Sequence, residues 1–325
     1  MAGENTERRI GLLKIKGCDN ANRNGDVIFV HGLGDHPIKA WYPNPKEIEA
    51  EVDTDDFWEN KLTTLNFWLN WLGQDRPDLG IWSYGYEAMP FKKGTLLSQV
   101  PQVPTGKASP IFDQASEFLE ILQQQDILTR PRIFITHSLG GLIVKQTLSS
   151  ACDYINTNHI MRELIGQTKG IAFLGTPHQG SDLANLQKTF ARIITASHLL
   201  DANAIITELR SDNTNTQLDR LRQWYSQNAK SLGIETKAFY EIQETNIPTI
   251  GRRIVVDRYS SDPFVEGCMP TAVNQADHFS LVKPHNQQNV VYIGVKTFIN
   301  QYLPPRRYSP SVEQEQKEKG FFLTN

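Results

Sequence analysis

The sequence predicts an α/β fold, a mostly parallel central sheet with helices on both faces. Three observations carry this reading. Short, continuous apolar runs rich in β-branched and aromatic residues recur: Val27–Val30, Arg132–Thr136 and Gly170–Leu174. Strands buried on both faces of a parallel sheet read this way, because neither side alternates with polar residues. Stretches with helical spacing separate these runs, and strands alternating with helices build a sheet covered on both sides. Finally, 325 residues suffice for one large domain with a substantial core.

Taken in order, residues 1–9 read as an irregular start and Ile10–Lys16 as a short strand. The run Val27–Val30 is the first central strand. Asp55–Leu72 has helical spacing, with Phe57, Leu62, Leu65, Trp68, Leu69 and Leu72 on one side. The aromatics Trp58, Phe67, Trp68 and Trp71 in the same stretch read as core packing. Ile81–Tyr84 is the next strand, and the Pro- and Gly-rich residues 90–110 read as loop. Asp113–Gln124 is a helix, Arg132–Thr136 a strand, Gly140–Ala151 a helix and Gly170–Leu174 a strand. From Asp182 to Lys230 the pattern is helical with no strand signal. Lys237–Tyr240 and Ile254–Val256 are further strands, and Gln287–Tyr302 is a closing amphipathic helix before Pro304-Pro305. The organisation expected is one domain over residues 1–303, with a helical insertion at about 185–232 before the strand that carries an acidic residue. A polar, charge-rich tail over 304–325 reads as disordered.

Composition removes several function classes. The chain is 39% hydrophobic and 21% charged, with 33 basic and 36 acidic residues evenly spread. No basic block is large enough to neutralise phosphates, which argues against a nucleic-acid partner. Cys18, Cys152 and Cys268 are odd in number and far apart, so reduced thiols in a cytoplasmic setting are expected. The first nine residues carry mixed charges without an apolar run behind them, unlike a signal peptide. No run of 18 apolar residues suggests a membrane span, while attachment to a membrane surface stays open.

The chemistry concentrates at Ile133-Phe134-Ile135-Thr136-His137-Ser138-Leu139-Gly140-Gly141. A buried strand runs into a serine, and small residues start a helix behind it. This is the nucleophile elbow of the α/β-hydrolase fold, in which a strained strand-to-helix turn lifts the serine hydroxyl clear of the sheet. Thr136 stands where a first glycine is common. The competing reading is that Ser138 only N-caps the helix. A second feature is Val27–Val30 running into His31-Gly32-Leu33-Gly34. In this fold the loop after such a strand supplies one oxyanion-hole amide and the residue after the nucleophile the other. The expected donors are the N–H groups of Leu33 and Leu139, with His31 structural. Third, His278 lies in Gln275-Ala276-Asp277-His278-Phe279-Ser280, late in the chain as the fold's order of serine, acid, histidine requires. His285, the other late histidine, begins the closing helix.

Five segments occur in order over residues 31–284: HGLGDHPIKAW, FITHSLGGLIVKQTL, FLGTPHQGSDLA, FYEIQETNIPT and DHFSLVKP. Together they resemble the serine-active-site-containing, lipase-related α/β hydrolases, the group of the phosphatidylglycerol-remodelling type. More distantly they resemble glycosylphosphatidylinositol inositol-deacylases. The resemblance implies acyl-ester chemistry, often on lipids, without a metal or organic cofactor.

The acid has four candidates: Glu241, Glu244, Asp257 and Asp262. In this fold it stands just beyond the strand after the insertion, which favours Glu241 at the end of Lys237–Tyr240. Asp257, after the next strand, is the runner-up. Gly175–Ser181, after a strand, reads as a sharp turn that shapes the pocket wall and launches the insertion, with His178 structural. The resulting expectation is acyl transfer through Ser138, with His278 as base, Glu241 orienting it, and Leu33 and Leu139 holding the oxyanion. Phe190, Ile193, Ile194, Leu199 and Leu200 of the insertion are expected to form a lid or acyl-chain wall. The substrate is expected to be an acyl ester or thioester, lipid-like. A non-catalytic interaction or signalling module on the same fold, and a peptidase, are the competing classes.

Overall fold

The computed structural model describes residues 10–32, 35–86, 110–125, 127–179, 212–247 and 251–305. Its elements run as strand β1 (Gly11–Lys16), β2 (Gly25–Val30), helix α1 (Trp68–Asp75), β3 (Leu79–Gly85) and α2 (Pro110–Gln124). They continue as β4 (Arg132–His137), α3 (Leu139–Asp153), α4 (His159–Gln167), β5 (Thr168–Leu174), α5 (Asp212–Asn228) and β6 (Glu235–Glu241). The last are β7 (Thr245–Ile247), β8 (Gly251–Arg253), β9 (Thr271–Val273) and α6 (Val290–Tyr302).

Seven strands form one sheet in the order β1-β3-β2-β4-β5-β6-β9. Only β1 runs antiparallel, on β3; every other neighbour pair is parallel. The central strands β2, β3 and β4 are buried along their whole length. Their alternate residues feed two separate cores. Val27, Phe29, Ile133, Ile135, Ala172 and Leu174 pack with residues of α1 and α6. Ile28, Val30, Phe134, Ile171 and Phe173 pack with residues of α2, α3, α4 and α5. The expected layering of helices on both faces is therefore present, and it accounts for the unbroken apolar runs: each strand has two apolar faces to satisfy.

Several elements differ from the sequence expectation. The span Asp55–Leu72 is not one helix. It holds a π turn at Phe57–Lys61, a 3₁₀ turn at Leu62–Thr64, and then α1. Phe67 is extended, with φ −146° and ψ 165°. The buried Asn70 amide donates to the carbonyls of Leu62 and Leu65, 2.8 Å each, so side-chain bonding replaces the backbone ladder there. The aromatic packing is as expected, with the Phe29 ring edge-on to Trp68 at 4.9 Å and to Trp41 at 5.2 Å.

Ile254–Val256 is not a strand. Val255 and Val256 are buried but unpaired, because the Val256 N–H donates to the Glu241 carboxylate at 2.6 Å instead of to a ladder. The short β7–β8 hairpin precedes it, and β9 takes the sheet position beside β6. The sequence reading had no counterpart for α4, whose Asn158 side chain caps it by accepting from the Ile160 N–H. The closing helix starts at Val290 with Asn289 as its cap, so His285 is an exposed residue ahead of it. Of the proposed insertion, α5 is a helix as expected, while 180–211, with Phe190, Ile193, Ile194, Leu199 and Leu200, lie outside the described residues. So do 306–325 of the polar tail and 87–109 of the expected loop.

Candidate active site

Ser138 sits between β4 and α3 with φ 49° and ψ −122°, one of two non-glycine residues at positive φ among those described. A serine held there stores strain that only a tightly determined turn can keep. Its side chain makes no capping bond to α3, which sets aside the N-cap reading. The turn is clamped from both sides. The Ser138 N–H donates to the Leu174 carbonyl at the end of β5, 3.0 Å away. Gly140 rests against the end of β2, where a Cβ would stand 2.5 Å from the carbonyl oxygens of Val30 and His31.

The Ser138 hydroxyl lies 3.1 Å from His278 Nε2, and His278 Nδ1 lies 3.3 Å from Glu241 Oε1. All three side chains are buried. Because a carboxylate only accepts, the Nδ1–H donates to Glu241 and leaves the Nε2 lone pair facing the serine. Glu241 closes β6, where the parallel register with β9 brings it to the same sheet edge. The loop carrying His278 is itself pinned. Its backbone N–H donates to Thr245 Oγ1 at 3.0 Å, and its carbonyl accepts from His137 Nε2 at 3.0 Å. Asp277 Oδ1 accepts from the N–H groups of Phe279 and Ser280, starting the next short turn.

The other acidic candidates are elsewhere. Asp257 is exposed and caps the Ser260 N–H of its own loop at 2.7 Å; Asp262 does the same for Phe264. Glu244 is exposed. Leu139 opens α3, and the first N–H groups of a helix have no acceptor within it. Leu33 and Gly34 lie outside the described residues. Their neighbour Gly32 is close to the turn, since a Cβ there would be 3.1 Å from Ser138 Cβ.

His31, His137 and His178 each have a place in the fold. His31 is buried, stacks on Tyr86 at 4.3 Å and holds its Nδ1 2.8 Å from the Gly32 carbonyl, and burial lowers its pKa to about 4. Burial, with His278 close by, drives the His137 pKa well below the usual value. His178 bonds to Lys145 of α3, and the two are boxed in by the rings of Phe173 and Tyr225. Burial first, and then Arg222, lower the Lys145 pKa to about 7. Sequence reasoning missed Thr245 and His137 as parts of this site, and read Gly175 as pocket wall without its contact to the pair. Gly175 has φ +57°, and a Cβ on it would stand 3.2 Å from His278 Nδ1 and 3.3 Å from Glu241 Oε2. Its place in Gly-Thr-Pro directly after a strand was the available signal. No group of three or more His, Cys, Asp or Glu able to hold a metal occurs among the described residues.

The comparison that decides the fold is with the mature lipase BlEst2 of Bacillus licheniformis. It superposes with a TM-score of 0.51 at 14% identity, over 85% of this chain and 93% of that one. The chain has the α/β-hydrolase fold. Within that fold, it is 29% identical over 281 residues to Protein SERAC1 of Bos taurus, and 29% identical over 279 residues to Protein SERAC1 of Homo sapiens. Each match covers 86% of this chain and 39% of the relative, so the chain spans about two fifths of the length of these curated relatives. These similarities agree with the resemblance that the five ordered segments carry. No protein-family model matches.

Proposed function

We propose that this protein is a serine hydrolase of carboxylic esters, acting on lipid-like acyl esters or thioesters through an acyl-enzyme on Ser138. One observation carries the reading: a strained strand-to-helix turn holds the Ser138 hydroxyl 3.1 Å from an imidazole nitrogen whose partner nitrogen faces a buried carboxylate. That arrangement activates a hydroxyl at neutral pH, where a free serine is too weakly acidic and too poor a nucleophile.

In the first step His278 Nε2 takes the Ser138 proton as Oγ bonds to the carbonyl carbon, and Glu241 holds the imidazolium and its tautomer. The negative charge moves to the carbonyl oxygen. The Leu139 and Leu33 N–H groups are the proposed donors to it, with the α3 N-terminus adding favourable field. Collapse breaks the ester bond, and His278 gives its proton to the leaving alcohol or thiol. Water then repeats the sequence on the acyl-enzyme and frees the acid; an acceptor alcohol in its place gives transfer. The lipid-like substrate class rests on the kinship with the lipase-related group.

The test is labelling by a fluorophosphonate probe together with hydrolysis of p-nitrophenyl esters of graded chain length. The native chain is expected to label and turn over. Ser138→Ala is expected to abolish labelling and to lower turnover by as much as ~10⁶ while remaining folded. A native chain that neither labels nor hydrolyses any ester points instead to a fold retained for binding.

A further inference from the structure

Nine large hydrophobic side chains are exposed among the described residues, and five of them, Ile242, Ile254, Tyr259, Phe264 and Met269, fall between residues 242 and 269. This stretch joins Glu241 to His278, so it borders the candidate active site directly. It is not loosely held. Val255, Val256, Ser260, Ser261 and Val265 are buried. The His178 N–H donates to the Ser260 carbonyl, and the Gln179 amide donates to that of Tyr259. Phe264 is the second non-glycine residue at positive φ, 54°. A bulky residue is rarely held there, yet its ring stays exposed, edge-on to the exposed ring of Tyr259 at 5.9 Å.

The charges of the same segment are uneven in their use. Asp257 and Asp262 cap backbone N–H groups, and Glu266 pairs with Lys230 at 3.8 Å. Arg252, Arg253 and Arg258 are exposed, and no ion pair engages them among the described residues. Exposed apolar tips beside arginines without carboxylate partners match the boundary of an anionic bilayer. There the rings enter the headgroup region and the guanidinium groups meet lipid phosphates and carboxylates.

We propose that the segment 251–270 docks the protein on an anionic lipid surface and thereby holds the Ser138–His278 site against it. A second copy of the chain is the competing occupant, and the oligomeric state is an outcome of the test. The purpose of docking rests on the ester-hydrolase reading, but docking itself does not.

The experiment therefore uses the full chain carrying Ser138→Ala, co-sedimented with phosphatidylcholine vesicles with and without phosphatidylserine. Binding is expected only with phosphatidylserine and is expected to weaken as salt rises. Arg252→Gln, Arg253→Gln and Arg258→Gln together should lower vesicle affinity on the order of 100-fold, each arginine being worth roughly fivefold near such a surface. Phe264→Gly with Tyr259→Ser should also weaken it, and glycine at Phe264 accepts the positive φ. Both sets, placed in the chain with Ser138 intact, should leave turnover of a short soluble ester unchanged. Absent binding at low salt, equal binding to both vesicles, or binding indifferent to both variant sets overturns docking. So does a concentration-dependent dimer that Phe264→Gly with Tyr259→Ser abolishes. Failure of ester hydrolysis alone overturns the function and leaves docking standing.

Discussion

At the scale of single residues, the geometry around His278 separates groups that a sequence treats alike. Glu241 reaches the imidazole, whereas Asp257 is spent on its own loop. Glu241→Gln is therefore expected to lower turnover of a short ester by up to ~10⁴, since a neutral amide also supports the wrong tautomer. Asp257→Asn is expected to stay near the native rate. A severe loss at Asp257 with a normal rate at Glu241 would reverse the assignment. Gly175 offers a second test, with an internal control. Gly175 and Gly233 both have positive φ, 57° and 71°, but a Cβ at Gly233 meets nothing within 4 Å. Alanine at either position is expected to cost roughly 1–2 kcal/mol of stability from the backbone alone. Only Gly175→Ala should also depress kcat, because its methyl group presses on His278 and Glu241. Equal kcat in the two variants would show that the pair tolerates displacement.

At the scale of elements, the clearest lesson lies between Asp55 and Asp75. Apolar spacing alone runs through this stretch as one helix, and the chain instead breaks at Leu65–Phe67. Thr63, Thr64 and Asn66 are residues whose side chains compete for backbone hydrogen bonds or crowd a helical turn. Asn70 then donates to two of the carbonyls left over. Asn70→Ala is expected to destabilise by about 1–3 kcal/mol, measured by urea unfolding, because both carbonyls lose a donor. In an uninterrupted helix the same change would be neutral or favourable by propensity, so an unchanged midpoint would contradict the break. The Ile254–Val256 run is the converse case. Burial of Val255 and Val256 was legible there, but an apolar run whose Val256 N–H is satisfied by one carboxylate and no ladder looks in sequence like a strand.

At the scale of the whole molecule, the two cores on opposite faces of the sheet are filled differently. The face with α1 and α6 buries the uncharged Asn70 amide among its apolar residues, whereas the other encloses the amine of Lys145 among Phe173, Tyr225 and His178. Burial lowers its pKa from 10.5 to about 7, with Arg222 acting in the same direction. Between those two values the unfolded chain binds a proton that the folded chain does not, so this group makes stability rise with pH across that window. The urea midpoint of the native chain is accordingly expected to gain on that of Lys145→Met as pH moves from about 7 toward 10.5. A gap that stays constant with pH would mean that the amine titrates normally inside the fold. No helix among the described residues is long and apolar enough to cross a membrane, and the docking face proposed above is a property of the surface, not of either core.

The sequence by itself determined the sheet, its layering and the turn at Ser138. Those follow from local rules: unbroken apolar runs mark strands with two buried faces, and a serine between such a run and Gly140-Gly141 marks a tight strand-to-helix turn. His278 was also legible, from its place in chain order. The tertiary structure alone decided which of four carboxylates meets the imidazole, that β9 and not Ile254–Val256 flanks β6, and that Thr245, His137 and Gly175 hold the assembly. The reason is physical. Periodicity reports what one segment buries, whereas the partners of His278 come from β4, the loop after β5, β6 and the separate strand β7, and meet it only at the edge where the parallel strands β4, β5 and β6 end.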